Sequence, residues 1–315
     1  IQFENGIRLK DTLALAQRSL EKWSHDMGVS AKQTGLWDYN KVRNQSDTFT
    51  ADEIKYIEYD VIAGVECIDV TLKALKKNIS SIPITSTGIA RGESRKAGGR
   101  KAHEYFKRLA PEEYWLQDVY EQLFHGGYTH ANRYYLGDVL PAECQDIASS
   151  YPFCTHMMDA PTEKFFDVPA KNFNYDYIKA NPNYSFIFHV KVFDLDLKDK
   201  GCPMPILSHA KCTASLNAIL DNGRVLKSDF ASFWSNEIDF ELFMSEYKFS
   251  KIEYEQPMCA TKGPLPQWFR DFIYQRFTAK TMLKGVDQVQ YQIEKGMLNA
   301  SAYGMAAQRP CKPLI

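Results

Sequence analysis

The sequence lacks the marks of an extracellular, membrane or zinc-finger protein. Its seven cysteines (Cys67, Cys144, Cys154, Cys202, Cys212, Cys259 and Cys311) are scattered and form no Cys-x-x-Cys pair. An odd, unpaired set argues against a disulfide framework and a zinc site and points to a reducing compartment, so a cytoplasmic location is expected. No apolar run approaches the roughly 20 residues a membrane span needs, and no membrane partner is expected. There is no signal peptide, internal repeat or low-complexity tract. With 38 Lys and Arg against 39 Asp and Glu, the net charge is −1, so any case for nucleic acid must come from local clusters. An initiator Met is also missing, and a chain that opens at Ile1 in mid-pattern reads as a fragment of a longer protein.

What is present suits a globular protein of two or three domains: 315 residues, 44% hydrophobic and 13% aromatic. Residues 10–27 carry Leu13, Ala16, Leu20 and Trp23 at helical spacing, and Gly28 follows as a stop signal. After a polar loop with Trp37, Asp38 and Tyr39, Thr50 and Glu53 have the form of a capping box that opens a second helix to about Asn78. Its expected buried stripe is Ile57, Val61, Val65, Ile68, Leu72 and Leu75. Tyr56 and Asp60 lie one turn apart on this helix, so a hydroxyl beside a carboxylate could align a water against a metal, or the two could simply bond one another on an exposed face.

A basic run follows. Arg91, Arg95, Lys96, Arg100, Lys101, Lys107 and Arg108 crowd together with Gly88, Gly92, Gly98 and Gly99 among them, opposed only by Glu93 and Glu104. Such a run is either a solvated face or, because glycine lets a backbone approach phosphates, a nucleic-acid backbone contact, and it marks a domain boundary. Phe124-His125-Gly126-Gly127-Tyr128 reads as a strand edge bent at its glycines. An alternating run then leads into Asp146-Ile147-Ala148-Ser149-Ser150-Tyr151-Pro152, a strand end that breaks at proline. Here Asp146 can offer oxygen to Mg²⁺, backbone N–H groups near Ser149 and Ser150 can meet phosphate, and the Tyr151 ring can lie on a ribose.

Tyr184–Leu197 is the clearest strand, with Phe186, Phe188, Val190 and Val192 alternating, closed by Pro203 and Pro205. Residues 206–258 read as short strands around a helix near Glu237–Tyr247, with Ser235 or Asn236 as its N-cap. The tail reads as two antiparallel helices, Trp268 to about Leu283 and Val286 to about Leu298, parted by Gly285; Tyr303-Gly304 then breaks the pattern. Lys280 with Lys284, and Lys295 with Asn299, share helix faces; these lysines suit either a triphosphate or a solvated face.

Taken in order, these segments resemble the protein-primed family B DNA polymerases of phages and linear plasmids. Tyr56-x-x-x-Asp60 resembles the third exonuclease motif, and Thr85-Ser86-Thr87-Gly88-Ile89-Ala90-Arg91 the linker after it. Phe124-His125-Gly126-Gly127 resembles the Tyr-x-Gly-Gly element, with Phe where Tyr is usual. Asp146-x-x-Ser149-x-Tyr151-Pro152 resembles polymerase motif A, and Lys295 to Gly304 resembles motif B, Lys-x-x-x-Asn-Ser-x-Tyr-Gly.

The resemblance implies an α/β (α+β) chain. The C-terminal part of an RNase-H-like 3′–5′ exonuclease and its linker would occupy 1–108, and a palm with motif A 109–158. An inserted subdomain with palm strands would occupy 159–262, and helical fingers with motif B 263–315. It implies template-directed dNTP addition by two-metal phosphoryl transfer, with two Mg²⁺ or Mn²⁺ ions per active site. Asp146 and Asp60 would be metal ligands and Tyr56 would orient the water of the exonuclease. Ser149, Tyr151, Lys280, Lys295, Asn299 and Tyr303 would bind nucleotide, with Tyr151 rejecting the 2′-hydroxyl. Gly126 and Gly127, with Arg91 and Arg95 of the basic run, would contact DNA. The implied partners are primer-template DNA, dNTPs and a terminal priming protein, in the host cytosol for a phage protein.

The chain departs from the family pattern in two ways. Motif B carries one extra residue between Asn299 and Tyr303, about 100° of helix rotation. The Asp-x-Glu first exonuclease motif, the second one and the Tyr-x-Asp-Thr-Asp-Ser motif are absent from these residues, so neither metal site is complete. The alternative is a non-catalytic DNA- or primer-protein-binding remnant of such a polymerase. A stand-alone nuclease would need further acidic residues near Asp60.

Overall fold

A computed structural model of the chain describes residues 6, 11–30, 35–111, 113–131, 137–202 and 204–304. Six helices come first, a mostly extended stretch follows, and two helices close the described residues. In chain order they are helices α1 (Leu13–Ala16), α2 (Leu20–Met27), α3 (Ala51–Leu75), α4 (Ser86–Leu109), α5 (Tyr114–Leu123) and α6 (Ser150–Met157). Then come β1 (Asp159–Pro161), β2 (Phe166–Asp167), α7 (Tyr175–Ala180), β3 (Tyr184–Leu197), β4 (Cys212–Leu216), β5 (Ile219–Asp221) and β6 (Arg224–Asn236). Last are α8 (Glu237–Glu246), β7 (Tyr247–Lys248), β8 (Lys251–Pro264), α9 (Gln267–Leu283) and α10 (Gln288–Asn299), which continues into a π turn over Ala300–Gly304. The chain forms two compact units, one from the described residues of 1–102, 149–156 and 266–308, the other from 103–148 and 157–265.

In the second unit an antiparallel sheet runs in the order β1-β8-β3-β6-β4, with β2 also paired to β8, β5 to β6 and β7 to β3. The expected strand Tyr184–Leu197 is its centre. Phe186, Phe188, Val190 and Val192 are all buried on one face, against Phe173, Phe233, Phe240 and Phe243. Phe188 and Phe240 meet edge to face at 5.0 Å, a geometry aromatic quadrupoles favour. The β3–β8 register shifts between Ile187 and His189. Gln256, at φ 47, and Pro257, which has no N–H to give the ladder, together stand opposite Phe188 alone, so a bulge belongs there. The short strands expected over 206–258 are corrected: β6 and β8 are 13 and 14 residues long. On the other sheet face, Val119 of α5 packs on Ile187 and Met258.

In the first unit the expected capping box is present. Thr50 Oγ1 accepts from Glu53 N and Glu53 Oε2 from Thr50 N. This bond and the guanidinium of Arg43, 2.7 Å away, hold the Glu53 carboxyl down at about 2. The buried stripe of α3 differs from expectation. Ala63, Cys67 and Thr71 are buried, whereas Val61 and Val65 are each 61% exposed and Ile57 is also exposed. The reason is steric. Small side chains let α2 approach closely, and Trp23 and Met27 close over Cys67, leaving the larger aliphatics on the far side.

One further helix is corrected. The single helix expected over 10–27 breaks, since Gln17 turns left-handed at φ 54 and Ser19 caps a new start by accepting from Lys22 N; Lys10 lies outside the described residues. The glycine-rich basic run folds as α4, interrupted at Gly99 (φ 54, ψ −136). Gly98 is required there, because a Cβ would sit 2.7 Å from the Trp268 ring. The six described cysteines are free, and no helix of the described residues is long and apolar enough to cross a membrane.

The N-cap of α8 is Asn236, whose Oδ1 accepts from Ile238 N and Asp239 N at 2.9 Å each. Asn236→Ala therefore costs about 1 kcal/mol. The measurement is a lower urea midpoint at unchanged slope, with Asn236→Ser close to the parent; equal midpoints for all three would refute the cap.

Candidate nucleotide and DNA site

Residues 137–148, with Asp146 exposed among them, contain no helix or strand, so the expected strand end is corrected; 132–136 lie outside the described residues. Ser149 takes φ 56, a conformation few non-glycine residues adopt, and this turn launches α6. Pro152 sits in the first turn of α6, where its missing N–H is no loss. α6 is seated on α9: His156 Nδ1 lies 3.1 Å from Arg270 O and its ring 5.9 Å from Tyr274.

Two contacts then join the turn of Ser149 and Tyr151 to the α9–α10 hairpin and the π turn after it. Lys280 Nζ donates to Ser149 Oγ at 2.7 Å. The Tyr151 ring, 47% exposed, meets the Tyr303 ring with centroids 4.7 Å apart. Four of the six expected nucleotide residues are thus brought together in pairs. Lys295 and Asn299 are exposed on α10 and, with Tyr303, line a cavity of about 730 Å³ that Arg18, Asp26 and Thr87 also line. Arg18 pairs with Asp26 there, and Gln292 Oε1 is 3.3 Å from the same guanidinium.

The sequence reading missed what fixes the α9–α10 hairpin. Arg276 Nη1 donates to both oxygens of Glu294, at 2.8 and 3.0 Å. The two residues are equally far from Gly285, which turns at φ 77, so the helices run antiparallel as expected. Burial raises the Glu294 carboxyl pKa, and the Arg276 charge opposes the rise. The complementary charges on facing arms of a predicted hairpin were the available signal.

Gly126 and Gly127 lie in a loop after α5, not on a strand edge. Three side chains of the sheet region tie this loop down. Lys211 Nζ donates to Glu121 O (3.1 Å) and Phe124 O (2.8 Å), satisfying carbonyls at the end of α5. Arg224 lies 4.0 Å over the Tyr128 ring, and His125 Nε2 is 3.5 Å from Asp239. Burial lowers the His125 pKa, opposed by Asp239. These residues border a second cavity, of about 310 Å³, whose lining includes both glycines and Trp234.

Tyr56 and Asp60 occupy α3 as expected, both half-buried. The Tyr56 hydroxyl is 2.6 Å from that of Tyr39, and its ring stacks on Trp37 at 5.5 Å. Arg91 is half-buried and Arg95 exposed, both within α4, so the backbone approach to phosphate expected of this run is replaced by a helix that presents side chains. Among the described residues no group of three His, Cys, Asp or Glu side chains is placed to hold a metal ion. The donors these residues offer are therefore an incomplete set for a two-metal centre.

The chain belongs to the type B DNA polymerases of the organellar and viral kind: the model of that family matches residues 20–313. Solved structures of phi29 DNA polymerase share its fold. The post-translocation binary complex with primer-template DNA has a TM-score of 0.70 at 20% identity, covering 95% of this chain and 48% of that one. An orthorhombic crystal form gives 0.69 at 20%, again over 95% and 48%. The ternary complex with primer-template DNA and incoming nucleotide substrates gives 0.63 at 20%, over 93% and 48%. This chain thus spans about half the length of the solved polymerases it matches. No curated protein sequence matches it.

Removing one partner of the hairpin ion pair strands the other. Arg276→Met is expected to cost roughly 2–3 kcal/mol, less than a fully buried pair because the guanidinium retains some exposure. Glu294→Gln, which removes the buried charge itself, is expected to cost less. Thermal melting of the two variants checks the order, and a reversed order would contradict the pairing.

Proposed function

We propose that this chain is the central part of a DNA polymerase that, in the intact protein, adds dNTPs to a primer on a DNA template. One observation carries the reading: Lys280 and Tyr303, from the C-terminal helical hairpin, meet Ser149 and Tyr151 of the motif A segment. The two stretches are more than a hundred residues apart in sequence. Lysine is a point charge suited to a phosphate oxygen, and the Ser149 hydroxyl oxygen that accepts its hydrogen bond marks where such an oxygen would sit. The flat, exposed Tyr151 ring, backed by Tyr303, presents a surface for a deoxyribose that a 2′-hydroxyl would foul. Lys295 and Asn299, on the same helix as one another, extend the positive and polar lining.

In this reading 1–108 is the end of a 3′–5′ exonuclease and its linker, 109–158 a palm, 159–262 an inserted subdomain with palm strands and 263–315 the fingers. Asp146 would hold Mg²⁺ or Mn²⁺ together with carboxylates other than those described, and such ions clamp the attacking and leaving oxygens of phosphoryl transfer. Asp60 and Tyr56 would serve the exonuclease in the same way. Gly126, Gly127, Arg91 and Arg95 would lie along primer-template DNA. The Lys211 tie would hold the glycine loop in place, and the family resemblance adds a terminal priming protein as partner.

The sugar assignment is tested in the intact polymerase by Tyr151→Val. Ribonucleotide incorporation relative to dNTP should rise about 10-fold or more, equivalent to roughly 1.4 kcal/mol of lost discrimination. Unchanged discrimination would remove Tyr151 from that role, and absence of any template-directed addition by the unmutated protein would sink the polymerase reading.

A further inference from the structure

The motif B pattern Lys-x-x-x-Asn-Ser-x-Tyr-Gly places Asn and Tyr three positions apart, whereas Asn299 and Tyr303 are four apart, with Ala300 as the extra residue. On a regular α-helix this would swing the tyrosine about 100° away from the family position and put Ala302 there instead. The backbone does something else. α10 ends at Asn299 and the next five residues, Ala300–Gly304, form a π turn. A π turn closes i→i+5 rather than i→i+4 bonds and so holds one residue more per turn than an α-helix.

The side chains fit that change of winding. The Ala300 N–H is shared between Gly296 O and Met297 O. The Ser301 hydroxyl, on a residue only 3% exposed, donates to Met297 O at 2.6 Å and so satisfies a carbonyl at the point where the helical ladder changes period. Beyond it Tyr303 lands on the Tyr151 ring. Gly304 lies so close to Thr87 that a Cβ would be 2.8 Å from its Cγ2, which fixes the far end of the turn.

We infer that the π turn absorbs Ala300 as a one-residue insertion, so that Tyr303, not Ala302, is the ring of the nucleotide pocket and Ser301 is the residue that positions it. This deepens the polymerase reading and rests on it for the word nucleotide and for the reference spacing; the π winding and the meeting of the two rings rest on the structure.

The test uses two changes in the intact polymerase. One deletes Ala300, which restores the family spacing; the other, Ala302→Tyr with Tyr303→Ala, moves the ring by one position without changing length. Each is read by a double-mutant cycle in thermal stability with Tyr151→Ala, and by the KM for dNTP. Deleting Ala300 should preserve the coupling between the two rings and leave KM within about threefold, because the turn reverts to α-helix. The ring shift should abolish the coupling and raise KM about 10-fold or more, as expected of a side chain rotated by about 100°. Coupling and a low KM retained by the ring-shifted variant, or coupling lost on deleting Ala300, would overturn the inference. The expected couplings with no effect on KM for dNTP would uphold the register and contradict the nucleotide reading instead. Ser301→Ala is a further check, since it should weaken the coupling without altering chain length.

Discussion

The ion pair of Arg276 and Glu294 is the contact on which the candidate site depends. A hairpin of two helices has many ways to slide or roll, and an ion pair with both carboxylate oxygens engaged on a half-buried guanidinium leaves few of them. One arm of that hairpin carries Lys280 and the other leads to Tyr303. Fixing the arms against each other therefore fixes the separation between a charge aimed at Ser149 and a ring laid on Tyr151. α6, started by the left-handed Ser149 and seated on α9 through His156, supplies the other half of each contact. The site is thus held by helices packed on helices, and a local change in winding at Ala300–Gly304 is enough to decide which residue faces it.

The sheet unit is built on a different principle. Its central strand buries one face so thoroughly, with Phe186, Phe188, Val190 and Val192 against α8 and its aromatics, that the register follows from the pleat. The proline in β8 prevents uninterrupted pairing, and a bulge at Gln256 takes up the difference. Lys211 and Arg224, from this same region, reach the loop of Gly126 and Gly127. An element that looks like a connecting loop in sequence is held in place by cations from a stretch that begins some eighty residues later.

Strong local signals were legible. The alternation of β3, the capping box of Thr50 and Glu53, and both helices of the tail could be read because each is decided within a dozen residues. Where packing decides, the reading failed: the apolar stripe of α3 follows hydrophobicity, but the buried face follows the small residues Ala63, Cys67 and Thr71 that α2 can approach. Nor could the sequence say why the basic run carries Gly98: a Cβ there would meet the Trp268 ring, a fact written about 170 residues away. The same limit applies to the site. Ser149, Tyr151 and Tyr303 could be nominated from motifs and Lys280 from its helix face, but that they meet in pairs, and that Arg276 and Ser301 support them, depends on helix register. The extra residue in motif B was visible as a spacing anomaly; its resolution by a π turn required the backbone.

The most direct test of the account is the effect of Lys280→Ala on nucleotide binding by the intact polymerase, measured beside its affinity for primer-template DNA. If Lys280 faces the triphosphate, dNTP affinity falls about 10-fold or more, the loss of one charge-assisted contact of roughly 1.5–3 kcal/mol, while DNA affinity is unchanged. Unaltered dNTP affinity, or an equal loss of both, would contradict the placing of a nucleotide between Lys280 and Ser149.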